Sequence, residues 1–288
     1  MSKIAVVTDS TSYIPQDLTK KYNITVAPQV LIWGEETLRD GVDIKPQEFY
    51  TRLQTAKVMP TTSQVSPSTM QSIFTDLADK DYDVLGIFIS SKLSGTIQSA
   101  VQAKEMMGSA GEKVTAIDSK ASAMALGFQA LAAARAVEAG ASLKDCIALA
   151  QKAHDHMGVF FAVDTLEFLH RGGRIGGAQR FIGSALGLKP ILALKDGRVE
   201  GVERIRTKNK AHDRILELVV EQVKGKPNIR IATLHANAPE DARILLAKAN
   251  EQTNAMESIF TEVSPVVGNH AGPGTVGLAF INTFAKNR

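Results

Sequence analysis

Through its first half the chain alternates short apolar runs with amphipathic helical sequence, and few folds accept that alternation. "KIAVVTDS" (3–10), "YDVLGIFIS" (82–90) and "KVTAIDS" (113–119) read as short buried strands. Between and after them come helical stretches: "KPQEFYTRLQTA", "SPSTMQSIFTDLADK", "TIQSAVQAKEMM" and "SAMALGFQALAAARAVEAG". Ser66 suits an N-cap, and Pro46 and Pro67 suit the first helical turn. "ITVAPQVLIW" is extended, with Pro28 inside it. Strands alternating with helices predict βαβ units around a parallel sheet.

The second half changes character. "MGVFFAVDT" reads as a strand, followed by Gly-rich sequence with a helical look as far as Gly187. In "PILALKDGRVEGVERIRT", Asp196-Gly197 between two extended runs signals a hairpin. "KAHDRILELVVEQVKG" and "PEDARILLAKANEQ" are helical; "NIRIATLHA", "SIFTEVSP" and "TVGLAFIN" are strands. The expected fold class is α/β: an N-terminal domain with a parallel sheet, then an α+β domain with a largely antiparallel one. The expected division is 1–153 and 154–288, with a small extended insertion near 24–60.

Composition narrows the function. Apolar residues make up 44% of the 288-residue chain, enough for a full core. A net charge of +3 and 6% aromatic residues argue against a nucleic-acid partner. No apolar run reaches about 18 residues, so no integral membrane segment is expected. The opening "MSKIAVVTDS" lacks the form of a signal peptide, which points to the cytoplasm. The single cysteine, Cys146, lies in the apolar-periodic "LKDCIALAQKA" and reads as a buried hydrophobe. His154 and His156 have no carboxylate or cysteine pattern around them, so no metal is expected.

Ser/Thr clusters recur where strands end: "VVTDSTS", "PTTSQVSPS", "SSKLSGT" and "AIDSKAS". In an open parallel sheet, ligands bind beyond the carboxyl ends of the strands. Helix N-termini there offer unpaired N–H groups, and hydroxyls add neutral donors. The set suits an anionic oxygen group, although Ser and Thr also cap helices with no ligand present. Nucleotide-binding loops are absent: neither G-x-x-x-x-G-K-[ST] nor a G-x-G-x-x-G after the first strand occurs. "RGGRIGGAQRFIGSALGLKP" spreads glycine through apparently helical sequence, which fits either close backbone packing or a groove for an apolar chain. His270, in "NHAGPGTVGLAF", reads as a polar residue in a loop before a strand. A hydrolase using Ser94 with His270 and Asp118 is an alternative, but the chain has no G-x-S-x-G elbow.

Taken together these stretches resemble the DegV family of bacterial fatty-acid-binding proteins. The resemblance runs the whole length, through "VVTDST", "PTTSQVSP", "SSKLSGT", "AIDS", "DTLEFLHRGGRIGG", "LGLKPIL", "RIRTKNKA" and "GPGTVGLAF". Val65 departs from it, since proline is more usual after the Ser-Gln. The resemblance implies a two-domain, non-catalytic protein that holds one long-chain fatty acid between its domains and needs no cofactor. It implies that Thr62, Ser94 and His270 meet the carboxylate, with Ser63, Gly95 and Thr96 in support. It implies an ATP-dependent fatty acid kinase subunit as partner, with Arg171 and Arg206 at the mouth meeting the phosphate or that partner. Neutral donors would then hold the head. Phe168, Ile182 and Leu186 are expected along the acyl chain, with the stretch from Gly176 to Gly187 as a helical tunnel wall.

Overall fold

The computed structural model describes residues 3–183 and 187–282. In chain order the first half holds β1 (Lys3–Asp9), α1 (Gln16–Lys21), β2 (Thr25–Ala27), β3 (Val30–Trp33), β4 (Glu36–Arg39), α2 (Pro46–Leu53) and β5 (Thr61–Ser63). It continues with α3 (Pro67–Asp79), β6 (Tyr82–Phe88), α4 (Thr96–Met106), β7 (Val114–Asp118), α5 (Ala123–Glu138) and α6 (Leu143–Ala153). The second half holds β8 (Met157–Ala162), α7 (Glu167–Arg171), β9 (Lys189–Lys195), β10 (Arg198–Ile205), α8 (Lys208–Val223) and β11 (Ile229–His235). It ends with α9 (Pro239–Thr253), β12 (Glu257–Glu262), α10 (Pro265–Ala271) and β13 (Val276–Asn282).

Three sheets organise these elements. β2-β1-β6-β7 is parallel throughout. β1 and β6 are buried on both faces, which is why they read as unbroken apolar runs. Val84 and Phe88 of β6 pack under α3 and α4 with Met70 and Phe74, while Leu85 and Ile87 face the central core. The second sheet, β10-β9-β8-β13-β11-β12, is antiparallel except between β11 and β12. One of its faces, with Leu278 and Ile231, lies under α8 and α9; the other, with Val159 and Phe161, joins the central core. The third, β4-β3-β5, is a small antiparallel sheet. The extended run around Pro28 is thus split: β2 joins the parallel sheet and β3 the small one.

α5 packs against strands of both large sheets. Eleven of its sixteen residues are buried, which accounts for its Ala-rich sequence on every side. Gly127 is needed there, because a Cβ would collide with the Ser12 carbonyl. The Asp196-Gly197 turn joins β9 to β10 with φ of 49° and 80°, the positive pair that a two-residue hairpin requires. Ser66 caps α3 by accepting from Thr69 N–H at 3.1 Å. Cys146 is buried in α6, where burial raises its thiol pKa.

Two expectations fail. The stretch from Gly176 is not a helical wall: a 3-10 turn spans Gly176–Phe181, and Ile182 is extended. Gly173, Gly176, Gly183 and Gly187 all have positive φ, which an α-helix does not admit. At Gly176 a side chain would also strike the Val199 carbonyl. The second correction concerns His270, which is not in a loop but in the last turn of α10.

Candidate functional site

A cavity of about 120 Å³ lies where the ends of the parallel strands meet the second sheet. Most of its lining is apolar: Val159 and Phe161 on β8, Leu194 on β9, Val199 on β10, Leu234 on β11, and Val266 and Val267 on α10. The alternation of β8 places Val159 and Phe161 on one face, toward the cavity, and Phe160 on the other, against Phe280.

The polar lining is gathered on neighbouring segments. Thr62 and Ser63 come from β5, Ser94 from the turn before α4, His270 from α10 and Gln29 from the link between β2 and β3. Thr62 Oγ1 and His270 Nε2 share a hydrogen bond at 2.7 Å. Ser94 Oγ lies 2.9 Å from Thr96 Oγ1, and Gln29 Nε2 donates to that same Thr96 oxygen at 2.8 Å. The Gln64 amide lies over Gly95, so the space above that glycine is occupied by a side chain. Thr96 itself is buried behind the wall. α4 begins at Thr96 with Gly95 as its N-cap, and the Thr96 N–H points at Ser94 Oγ at 3.4 Å.

His270 Nδ1 is buried without a hydrogen-bond partner among the described residues. Gly172 lies against it so closely that any side chain there would strike the ring. Burial, with Arg174 and Arg171 nearby, lowers the His270 pKa to about 4. The imidazole is therefore neutral near pH 7. Behind the cavity Asp9 is fully buried, and desolvation raises its pKa. Asp40, also buried, is pushed up to about 6, chiefly by desolvation. Asp40 accepts from Ser10 Oγ at 2.6 Å and from Val266 N–H of α10 at 3.3 Å.

The structure brings Thr62, Ser63, Ser94 and His270 to one cavity, and the two arginines expected at its mouth, Arg171 and Arg206, are not on its wall. Arg171 lies outside the lining, pairing with Glu167 at 4.0 Å and lying over the Phe168 ring. Arg206 is exposed in the bend after β10 and also lies outside the lining. The cation on the wall is Arg174, so the cavity is not lined by neutral donors alone. Arg174 donates from Nε to the Leu93 carbonyl at 3.0 Å and from Nη1 to the Gly172 carbonyl at 2.7 Å.

Phe168 packs over Gly272 rather than lining the cavity; the next residue of α7, Leu169, lines it instead. Ile182 is 47% exposed and borders a separate surface cleft with His170 and Arg204. Leu186 lies outside the described residues. The Ser94–His270–Asp118 arrangement is not assembled. His270 bonds Thr62, Ser94 bonds Thr96, and the Asp118 carboxylate accepts from the backbone of Ser91 and Lys120. Ser90 ties the two large sheets together, donating to the Gly197 carbonyl at 2.8 Å.

Sequence reasoning missed Gln29 and Arg174. Gln29 had a signal, a polar residue within the apolar "VAPQVLIW". Arg174 is the second arginine of "RGGRIGG", three residues beyond the one expected to act, and only the positive φ of Gly173 turns the chain so that it returns to Leu93. Among the described residues, no group of three or more His, Cys, Asp or Glu side chains is placed to hold a metal ion, and no helix is long and apolar enough to cross a membrane.

A family model described as "Uncharacterised protein, DegV family" matches residues 3–283. A DegV domain-containing protein of Streptomyces coelicolor is 36% identical over 277 residues, covering 96% of this chain and 97% of that one. Among solved structures, a DegV family protein of Thermus thermophilus, described by its fatty acid binding, superposes with a TM-score of 0.91 at 36% identity, covering 98% of this chain and all of the other. DegV of Bacillus subtilis, described as a fatty acid binding protein, superposes with a TM-score of 0.90 at 34% identity over 98% of this chain and all of the other.

Proposed function

The chain belongs to the DegV family, and from that premise we propose that it binds one long-chain fatty acid in the cavity, with the carboxylate at Thr62, Ser94 and His270. The observation that carries this reading is the pairing of a mostly apolar cavity wall with that one cluster of hydroxyls and a neutral imidazole. It is supported by the fatty acid binding described for the Thermus and Bacillus relatives.

The chemistry divides accordingly. Each buried CH₂ contributes about 0.8 kcal/mol, so the hydrocarbon supplies most of the affinity. Each hydrogen bond to the charged head adds roughly 1.5–3 kcal/mol and mainly orients it. The finer part of the proposal is that the protein is a non-catalytic carrier working in the cytoplasm. It presents the carboxylate to a separate ATP-dependent kinase subunit and needs no cofactor of its own. A carboxylate oxygen attacks the γ-phosphorus of ATP held by that partner, ADP leaves, and an acyl phosphate forms. The proposal keeps the division at 153/154, with the lipid between the two parts.

Mass spectrometry of organic extracts from natively purified protein should give a long-chain fatty acid at about one per chain. Protein without lipid that also takes up neither oleate nor palmitate overturns the reading. With the kinase subunit added, Thr62→Ala or Ser94→Ala should lower acyl-phosphate formation about tenfold, the loss of one hydrogen bond to a charged acceptor. Full activity in both variants would show the head-group assignment to be wrong.

A further inference from the structure

The polar groups behind Ser94 form a chain with a direction. Gln29, 1% exposed, donates from Nε2 to Thr96 Oγ1 at 2.8 Å.

Thr96 then has one hydroxyl proton to give. Ser94 Oγ lies at 2.9 Å, nearer than Gln29 Oε1 at 3.2 Å. An amide already donating to a hydroxyl is poorly aimed to accept from it as well. The Thr96 proton therefore goes to Ser94. Ser94 Oγ accepts it along with the Thr96 N–H at 3.4 Å, which engages both of its lone pairs. What Ser94 has left for the cavity is its own proton.

We propose that Gln29 is a positioning residue which, by donating into Thr96, makes the Ser94 hydroxyl a donor and so makes the cavity select a carboxylate over a neutral alcohol head. The inference rests on the fatty acid reading given above. An acceptor-only side chain at position 29 reverses the chain. With Gln29→Glu, Thr96 donates to residue 29 and accepts from Ser94, and Ser94 turns lone pairs toward the ligand.

The test is competition of oleic acid and oleyl alcohol against a bound fluorescent fatty acid, in the wild type, Gln29→Met, Gln29→Glu and Thr96→Val. Gln29→Met nearly keeps the volume, and Thr96→Val interrupts the chain one link nearer the ligand. In Gln29→Met and Thr96→Val, oleate affinity should fall about tenfold while oleyl alcohol changes less than about threefold. In Gln29→Glu the preference for acid over alcohol should narrow further or invert. Equal losses for both ligands would mean that Gln29 only packs, and unchanged oleate affinity would mean that no relay exists; either result overturns the proposal. Wild-type protein that takes up neither ligand overturns the fatty acid reading itself, and the relay with it.

Discussion

His270 sits near Arg174 and Arg171 against an apolar wall, and its ring responds by staying neutral. Burial, then Arg174 and Arg171, hold its pKa near 4, against 6.5 for a free imidazole. An NMR titration of the His270 ring should therefore show no protonation between pH 8 and 5.5; a midpoint near 6.5 would contradict the site as described. The folded chain binds fewer protons at this ring than the unfolded chain does. The stability this neutral ring contributes is complete above pH 6.5 and is lost as pH falls from 6.5 toward 4. His235, lowered to about 4 chiefly by burial, adds in the same direction. Asp40, raised to about 6, opposes both by binding more protons when folded. The Ser/Thr clusters and His270 stood out in the sequence as hydroxyls at strand ends and a histidine among glycines, and the resemblance to the DegV family narrowed the clusters to Thr62 and Ser94. Arg174 could not be singled out, because its use depends on the left-handed Gly173 that turns the chain back toward Leu93, whereas Gln29 carried only the weak signal of a polar residue in an apolar run.

At the scale of elements, the β9–β10 hairpin does more than close an edge. Its Gly197 has φ of 80°, offers its carbonyl to Ser90, and leaves no room for a Cβ beside the Ser90 hydroxyl. Gly197→Ala should cost about 1–3 kcal/mol in urea denaturation, from the left-handed backbone and the disturbed bond to Ser90; no measurable loss would mean that the contact between the sheets contributes nothing. The parallel strands were legible as short unbroken apolar runs, and most helices by their period of 3.6. α1 and β5 went unread, and two glycine-bearing stretches were misread. The Gly-rich stretch after α7 has helical spacing of apolar residues, but its glycines adopt positive φ. α10 contains Gly268, an unfavourable helical residue, because a side chain there would strike Tyr50, so close packing against α2 overrides propensity.

Over the whole molecule one apolar cluster runs from Val6 in β1 to Ile281 in β13 and includes cavity walls such as Phe161 and Leu234. A ligand in that cavity becomes part of the core. Delipidated protein should melt in one transition, and oleate at about 100 times its Kd should add about 2.7 kcal/mol, raising Tm by roughly 5–10 °C in a thermal scan. An unchanged Tm with saturating oleate would place the lipid elsewhere. The overall architecture was legible from the alternation of elements; the cavity was not, because it exists only where three sheets and α10 converge. Arg174 carries one last consequence. Its hydrogen bonds among the described residues go to two neutral carbonyls, so its charge is held in place without being cancelled. The acid–base equilibrium of the cargo should register that field: the carboxyl of bound [1-¹³C]oleate should titrate at lower pH than the same acid in a lipid vesicle. Equal midpoints in the two settings would mean that the guanidinium is screened from the head.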